Sequence, residues 1–442
     1  MVCRSALQHL ASTAARRTYA TAAAELTPRQ IELVKATVPA LEQHGVAITT
    51  CFYKRLFDEH PELKNVFNLA HQATGTQPAA LAHSVWAYAS NIDRPENLQA
   101  LISRIGHKHA SLNITADQYP IVGQGLLRAI KEVLGDAATP EILDAWTAAY
   151  QKLAQYFIDF EGNLYRQNAA TPGGWTGWRK FVVKRRIVES DEIVTFHLAP
   201  VDHGAIPAYK PGQYIAVRCF VPELNMYQPR QYSLSKAPGR TDEDGGNYFQ
   251  ISVKREDTRD GRPAGKVSNV LHASTPEGAE IELSMPFGDF VLDLHATNPV
   301  VLISGGVGLT PMMSMLQTVV EHQQQQQQQQ GESRRVVFVH AVRNGRVHAM
   351  KEQLARIVRE NPNVSRSVWY EDVQPDRDQL GRDYDHQGRI DLARIKDQVL
   401  LPDADYFICG PLPFMKLQRD SLQKLGVRPE RIHMEVFGSS TE

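Results

Sequence analysis

Cysteine is scarce: the chain of 442 residues holds four, Cys3, Cys51, Cys219 and Cys409, far apart and without a C-x-x-C pair. That spacing excludes a disulfide framework and a structural zinc site, and it fits a reducing compartment. Long hydrophobic runs are missing too. No stretch reaches the ~18 consecutive apolar residues that would mark a membrane span, and the longest are strand-like pieces such as Val300 to Ile303. Neither sign of charge prevails, with 48 Lys and Arg against 49 Asp and Glu, so no basic nucleic-acid footprint or acidic tail is indicated. What is present is bulk: 42 % apolar and 22 % charged residues, over a length that accommodates about three domains with cores of their own. We expect a soluble monomeric enzyme that handles small molecules, with no nucleic-acid partner and no membrane span.

Residues 1–24 differ from the rest. Arg4, Arg16 and Arg17 are mixed with Ser, Thr and Ala, and no acid precedes Glu25. This is the composition of a mitochondrial transit peptide, which would send the chain to the matrix; the alternative is a plain tail on a cytoplasmic protein. The next methionine is Met226, so an internal start would lose everything before it.

Over 25–168 the pattern is helical. Its clearest piece is Leu143, Trp146, Tyr150, Leu153, Phe157, Phe160 and Leu164, whose alternating three-and-four spacing lines one face of a long helix. Pro172, Gly173 and Gly174 then deny both helix and strand, which places a linker at 169–175. Over 176–296, short runs rich in Val, Ile, Phe and Tyr (Phe181 to Val183, Ile193 to His197, Tyr214 to Phe220, Tyr248 to Val253, Glu280 to Leu283) alternate with turn signals, predicting an antiparallel barrel or sandwich, of which we expect the barrel. Over 297–442, strands alternate with helices, predicting an α/β domain with a parallel sheet. Eight glutamines, 323–330, read as a solvated loop insertion in that last domain.

The most specific chemistry lies in these two later domains. Ser304-Gly305-Gly306-Val307-Gly308-Leu309-Thr310-Pro311 joins a strand to a helix, and such a turn favours a pyrophosphate at the helix N-terminus. Alone it is equally a tight turn. Upstream, however, Pro211-Gly212-Gln213-Tyr214, then Pro229-Arg230-Gln231-Tyr232-Ser233-Leu234, then Gly265-Lys266-Val267-Ser268 appear in order. Here the chain resembles the ferredoxin-NADP reductase family. The resemblance implies that Arg230 pairs with FAD phosphate, Tyr232 packs on the isoalloxazine, Ser233 bonds the flavin's reactive edge, and Tyr214 and Gln231 lie in the same flavin-binding motifs. A guanidinium fork suits phosphate oxygens and an aromatic face suits a flat ring. Gly265 to Ser268, at a helix start, would cradle the rest of the pyrophosphate.

Cys409-Gly410-Pro411 and Glu435-Val436-Phe437-Gly438 match the family's nicotinamide-bordering and flavin-stacking segments, with Phe437 as the stacking ring. Two departures concern the nicotinamide: Leu309 replaces an expected Gln, and Val436 and Ser439 replace the usual Cys and Pro. After the second strand of the last domain, Arg343 and Arg346 stand where an adenosine ribose would be read. They would welcome the 2′-phosphate of NADPH, which predicts that NADPH is accepted at least as well as NADH, or they are solvated surface residues.

A reductase needs an electron acceptor. Leu98, Ile102, Ile105 and His109 recur at spacings of four, three and four, which puts His109 on the apolar face of its helix; a histidine there is a satisfied core residue or a haem ligand. Gln77, Leu81, Ser84 and Tyr88 form a stripe upstream, Phe67 precedes it, and Tyr53 lies earlier with Val46 and Phe57. This arrangement resembles a bacterial-type globin, and the whole from Thr27 to Gly438 resembles the flavohaemoglobins. The resemblance implies that His109 is the proximal ligand of haem b, with Tyr119 and Glu161 as its partners. Tyr53 and Gln77 would form the distal pocket, Phe67 would wedge against the haem, and Leu81 would wall the gas site. An acid on the far ring nitrogen fixes the tautomer of a ligating histidine, and donors around an apolar gas site stabilise negative charge on dioxygen. Lys108 and Glu435 match positions that the family keeps near the haem–flavin contact.

The expected activity is that of a nitric oxide dioxygenase. Electrons would pass from NADH or NADPH through FAD to haem, and nitric oxide with dioxygen would become nitrate. Three rivals use the same residues: a flavohaem peroxide or oxygen reductase, a gas-binding sensor, and a haem-free FAD reductase serving a partner protein.

Overall fold

The structure is a computed structural model that describes residues 25–241, 245–258, 263–326 and 333–437. Residues 1–24, on which the transit-peptide expectation falls, glutamines 327–330 and Gly438 lie outside the described residues. The chain divides into two compact units, 25–168 and 169–437. Among the described residues no helix is long and apolar enough to cross a membrane.

The first unit is helical. α1 (Pro28–Ala36) opens on a capping box: Gln30 N donates to Thr27 Oγ1 at 3.2 Å and Thr27 N to Gln30 Oε1 at 2.9 Å, with Pro28 in the first turn. α2 (Val38–Glu59) and a five-residue α3 (Leu69–Ala73) follow, the latter capped by Asn68. Then come α4 (Thr76–Ser90), α5 (Gln99–Ser111), α6 (Gln118–Leu134) and α7 (Pro140–Ala170). α7 runs two residues further than the expected boundary because Ala169 and Ala170 are strong helix formers and the break comes only at Pro172. Its predicted stripe faces inward, with Trp146 and Phe157 buried. The apolar side chains form two clusters rather than one core. The larger holds Ile48, Phe52, Tyr53, Leu56, Leu126, Ile130 and Trp146, and the smaller holds Tyr119, Ala154 and Phe157.

The second unit carries two sheets. β1 (Arg179–Val188), β2 (Ile193–Pro200), β3 (Tyr214–Val221), β4 (Met226–Ser233), β5 (Phe249–Lys254), helix α8 (Lys266–Ser274) and β6 (Glu280–Leu283) make an antiparallel sheet in the order β4-β3-β6-β1-β2-β5. A bridge from Leu234 to Ile251 brings the end of β4 back to β5, so the sheet curls into a barrel. The sequence reading took β4 only as a motif; its Pro229 is tolerated because β4 has a full ladder on one side alone.

The parallel sheet comprises β7 (Val300–Gly305), β8 (Val336–Val342), β9 (Val364–Tyr370), β10 (His386–Gln387), β11 (Asp405–Cys409) and β12 (Ile432–Glu435). Helices α9 (Leu309–Gln326), α10 (Lys351–Glu360), α11 (Lys396–Val399) and α12 (Leu412–Lys424) connect it. Every residue of β7 is buried, as for a strand covered on both faces. The order β10-β9-β8-β7-β11-β12 reverses direction between β7 and β11, which locates the ligand crevice at the C-terminal ends of those two strands.

The glutamine tract corrects an expectation. Gln323 to Gln326 continue α9 rather than entering a loop. Gln323 is buried, donating Nε2 to the Arg334 carbonyl at 3.0 Å and accepting Asn363 Nδ2 at 2.8 Å, so the fold uses its amide as a fixed polar bridge.

Candidate functional site

In the helical unit three elements converge on His109. It sits in the last turn of α5, Tyr119 in the first turn of α6, and Glu161 on the inner face of α7, one turn beyond Phe157. Glu161 is 2 % exposed. Its Oε1 accepts the Tyr119 hydroxyl at 2.6 Å and lies 3.0 Å from His109 Nδ1, which is also 3.1 Å from the Tyr119 oxygen. Burial, and then the Glu161 carboxylate, push the Tyr119 phenol well above its ordinary range, so it stays a donor. A carboxylate only accepts, and Tyr119 spends its proton on it, so the proton on the imidazole sits at Nδ1 and points to Glu161. Nε2 is left as a bare lone pair, with no hydrogen-bond partner among the described residues, on a side chain 34 % exposed. His107, two residues earlier, packs edge-on against Phe160 instead.

Tyr53 lies in the larger cluster, 5 % exposed, its ring 5.6 Å from Phe67 and 5.9 Å from Phe57. Burial pushes its phenol up to about 12. Gln77 Nε2 donates to the hydroxyl at 3.3 Å, and the hydroxyl proton has no acceptor among the described residues. Gln72 lies beside this hydroxyl, its Nε2 buried and making no hydrogen bond of good geometry among the described residues. Sequence reasoning missed Gln72: it stands on the five-residue α3, too short for any periodicity. Phe57, Phe67, Leu81 and Val85 are half-buried against the larger cluster, as are Ile102, Ile105 and Leu153 against the smaller. Apolar surface left half-covered in this quantity suits a flat apolar guest. Tyr88, in the predicted stripe, instead anchors α4 by donating to the Ala149 carbonyl at 2.9 Å. Lys108 is half-buried on α5.

In the second unit, β3 and β4 place Tyr214 opposite Ser233, Ala216 opposite Gln231 and Val217 opposite Arg230. Arg230 is half-buried and, among the described residues, donates only to the Pro229 carbonyl at 2.6 Å and faces no carboxylate; burial lowers its pKa. A desolvated guanidinium lacking its own acid suits a phosphate. Burial also pushes the half-buried Tyr232 phenol upward. Ser233 is 6 % exposed, and its hydroxyl makes no hydrogen bond among the described residues. Gly265 caps α8, leaving the first-turn N–H groups without intrahelical acceptors. Lys266 pairs with Glu223, Val267 is core, and the Ser268 hydroxyl is used locally, accepting Glu256 N at 3.2 Å.

At the ends of β7 and β11 the backbones touch. A Cβ on Gly308 would lie 2.2 Å from the Cys409 carbonyl oxygen, and one on Gly410 3.1 Å from Gly305 N. Gly306 is at φ +55°, where glycine is favoured. Gly306 and Val307 are half-exposed, whereas Leu309, Thr310 and Pro311 turn inward, Leu309 into the core in place of the expected polar contact. Cys409 is fully buried and its thiol is pushed far up by burial and then by Glu435, its register partner on β12. Pro411 caps α12 and is exposed, Val436 is half-buried, and Phe437 is 44 % exposed. The two arginines after β8 are not free: Arg343 pairs with Glu192, and Arg346 with Asp191 at 2.6 Å.

Two family models match the chain, an oxidoreductase NAD-binding domain over residues 302–420 and a globin over residues 50–157. A flavohemoprotein of Bordetella pertussis is 51 % identical over 414 residues, 94 % of this chain and 99 % of the relative. That of Rhizobium meliloti is 50 % identical over 413 residues, 93 % and 98 % of the two chains. Among solved structures, the flavohemoglobin of Malassezia yamatoensis, crystallised with bound FAD and heme, superposes with a TM-score of 0.79 at 27 % identity, covering 94 % of this chain and 100 % of that one. The flavohem-like FAD/NAD-binding domain of nitric oxide dioxygenase from Vibrio cholerae gives 0.50 at 35 % identity, covering 59 % and 98 %.

Proposed function

Since this chain belongs to the flavohemoprotein family, we propose that it is an NAD(P)H-dependent nitric oxide dioxygenase that turns nitric oxide and dioxygen into nitrate. Haem b, FAD and a nicotinamide nucleotide supply, when bound, gas binding at iron, passage of single electrons and hydride donation. Everything else falls to the chain's own side chains and backbone. His109 offers Nε2 as the iron ligand, while Glu161 holds the proton at Nδ1 and Tyr119 fixes the carboxylate. Tyr53 presents a hydroxyl proton to the gas pocket, oriented by Gln77 and backed by Gln72, and Phe67 and Leu81 keep that pocket apolar.

In the reductase half, Arg230 and the start of α8 take the FAD diphosphate. Tyr232 and Phe437 offer ring faces to the flavin, and the Ser233 hydroxyl its edge. Gly306, Val307 and Gly308 bring backbone close to the nucleotide, with Cys409, Gly410 and Pro411 opposite.

The observation that carries this reading is the buried Glu161–Tyr119–His109 network, which leaves Nε2 bare. The test is aerobic NADH oxidation with added nitric oxide, with nitrate measured. His109→Ala is expected to abolish nitrate formation while FAD reduction by NADH continues; full nitrate production by that variant sinks the assignment. From composition alone we further read 1–24 as a mitochondrial address; a fluorescent fusion to that segment that stays cytosolic refutes it.

A further inference from the structure

The end of β8 is where a parallel α/β sheet reads the adenosine ribose, and in this chain two arginines stand there with their charges already taken. Arg346 places Nε and Nη2 on Asp191 Oδ2 at 2.7 and 2.6 Å, and Arg343 pairs with Glu192. Both acids lie on the turn between β1 and β2 of the flavin barrel. That turn is stitched to the arginine segment by backbone as well: Asp191 N donates to the Arg346 carbonyl at 3.0 Å, and Met350 N donates to Glu189 Oε2 at 3.3 Å. Within the turn, Ile193 N donates to Ser190 Oγ at 3.1 Å, which holds its shape.

The neighbouring cations are committed too. Arg255, whose N–H donates to the Glu192 carbonyl, is forked onto Asp257 at 2.8 and 3.2 Å, and Lys351 is paired with Asp383 at 3.0 Å. The ribose end of the sheet is therefore close to electroneutral, although its sequence reads as basic.

We propose that the β1–β2 turn sets nucleotide selectivity: Asp191 and Glu192 occupy Arg346 and Arg343 and bias the enzyme against a 2′-phosphate, and so toward NADH. The proposal rests on the reductase reading above. A 2′-phosphate must either displace two carboxylates, which are then left unpaired beside a dianion, or share the guanidiniums with them; NADH meets neither demand. Selectivity of this kind comes from a repulsive element as much as from an attractive one.

The test uses the holoenzyme with ferricyanide as electron acceptor, which makes it independent of haem and nitric oxide. The wild type should give the higher kcat/KM with NADH. Asp191→Asn with Glu192→Gln should raise the NADPH-to-NADH ratio about tenfold with NADH kinetics unchanged. In calorimetry the same double variant should bind 2′,5′-ADP more tightly and 5′-AMP as before. Arg343→Ala with Arg346→Ala added to it should erase the gain. Pairs this exposed contribute little to stability, so the variants should fold; Glu192→Gln alone should show the same direction more weakly. An unchanged ratio and unchanged 2′,5′-ADP affinity, or a wild type that already prefers NADPH, overturns the proposal. Absence of ferricyanide reduction with either nucleotide would overturn the reductase reading instead, and the 2′,5′-ADP titration would still decide this one.

Discussion

Exchanging Glu161 for glutamine changes one atom and removes a charge. The carboxylate accepts two hydrogen bonds, 2.6 Å from the Tyr119 oxygen and 3.0 Å from His109 Nδ1, at a site 2 % exposed. Bonds to a charged group contribute ~1.5–3 kcal/mol and neutral ones ~0.5–1.5, so the exchange costs about 1–1.5 kcal/mol per bond, or about 2–3 in all. The loss appears where His109 has to keep its proton on Nδ1 and its lone pair on Nε2. At ~1.4 kcal/mol per factor of ten, haem affinity should fall by roughly 30- to 150-fold, which agrees with the ~10- to 100-fold typical of losing the partner of a ligating histidine.

The assay follows haem transfer to excess apomyoglobin by absorbance, with FAD content as an internal control, since Glu161 belongs to the helical unit and the flavin residues to the other. Faster haem loss with FAD retained is the expected result. A rate equal to wild type would refute the tautomer argument, and joint loss of haem and FAD would show general damage in place of a specific one.

Gly308→Ala would push a methyl group to 2.2 Å from the Cys409 carbonyl oxygen, against the Cys409–Gly410 peptide backbone, with no flexible side chain among its nearest neighbours to yield. Overpacking of that kind costs ~1–3 kcal/mol and should lower the melting temperature of the reductase unit by about 2–4 °C per kcal/mol, together with NADH kcat/KM; an unchanged Tm in scanning calorimetry would defeat it. Arg230→Ala removes a guanidinium that has no acid of its own among the described residues, so FAD affinity should drop by about 10- to 100-fold while haem content is kept. Equal FAD binding in a fluorescence titration would exclude the phosphate role.

The pH dependence of stability should follow in part His340, which burial holds down at about 4, against 6.5 for the free imidazole, together with the buried His348, 5.1 Å away and likewise held well below that value. The Nδ1 of His340 contacts Ser304 Oγ at 2.9 Å and its Nε2 is buried without a partner. Because the unfolded chain takes up the proton first, the His340 contribution is intact above pH 6.5, falls as pH drops through the window down to about 4, and levels off below it. At ~1.4 kcal/mol per unit the loss reaches about 3 kcal/mol. His340→Gln should flatten that part of a denaturant-unfolding series between pH 7 and 5, and an unaltered slope would contradict it.

Features held by neighbours in the chain were readable from the sequence. The stripe on α7, the glycine turn after β7 and the helical phase of His109 all depend on spacings of a few residues. What escaped depends on distance through the fold. Arg343 reaches Glu192 across 151 positions, and no local pattern marks either residue as paired. Glu161 could be placed near the stripe, yet its burial follows from Tyr119 and His109 arriving from two other helices. β4 was obscured by Pro229 and by the polar and charged Gln228, Arg230 and Gln231, which a strand laddered in full on one side alone accommodates.

The buried amide of Gln323 bears on how this gene can vary. Its bond to the Arg334 carbonyl ties the first glutamine of the tract to the segment that enters β8, so repeats gained or lost by replication slippage fall between two fixed points. Doubling the span between such points costs only about 0.6 kcal/mol of closure entropy. Tract length can drift between strains with little change in folding, whereas replacing this first glutamine with alanine would remove the clamp and make every later repeat harder to tolerate.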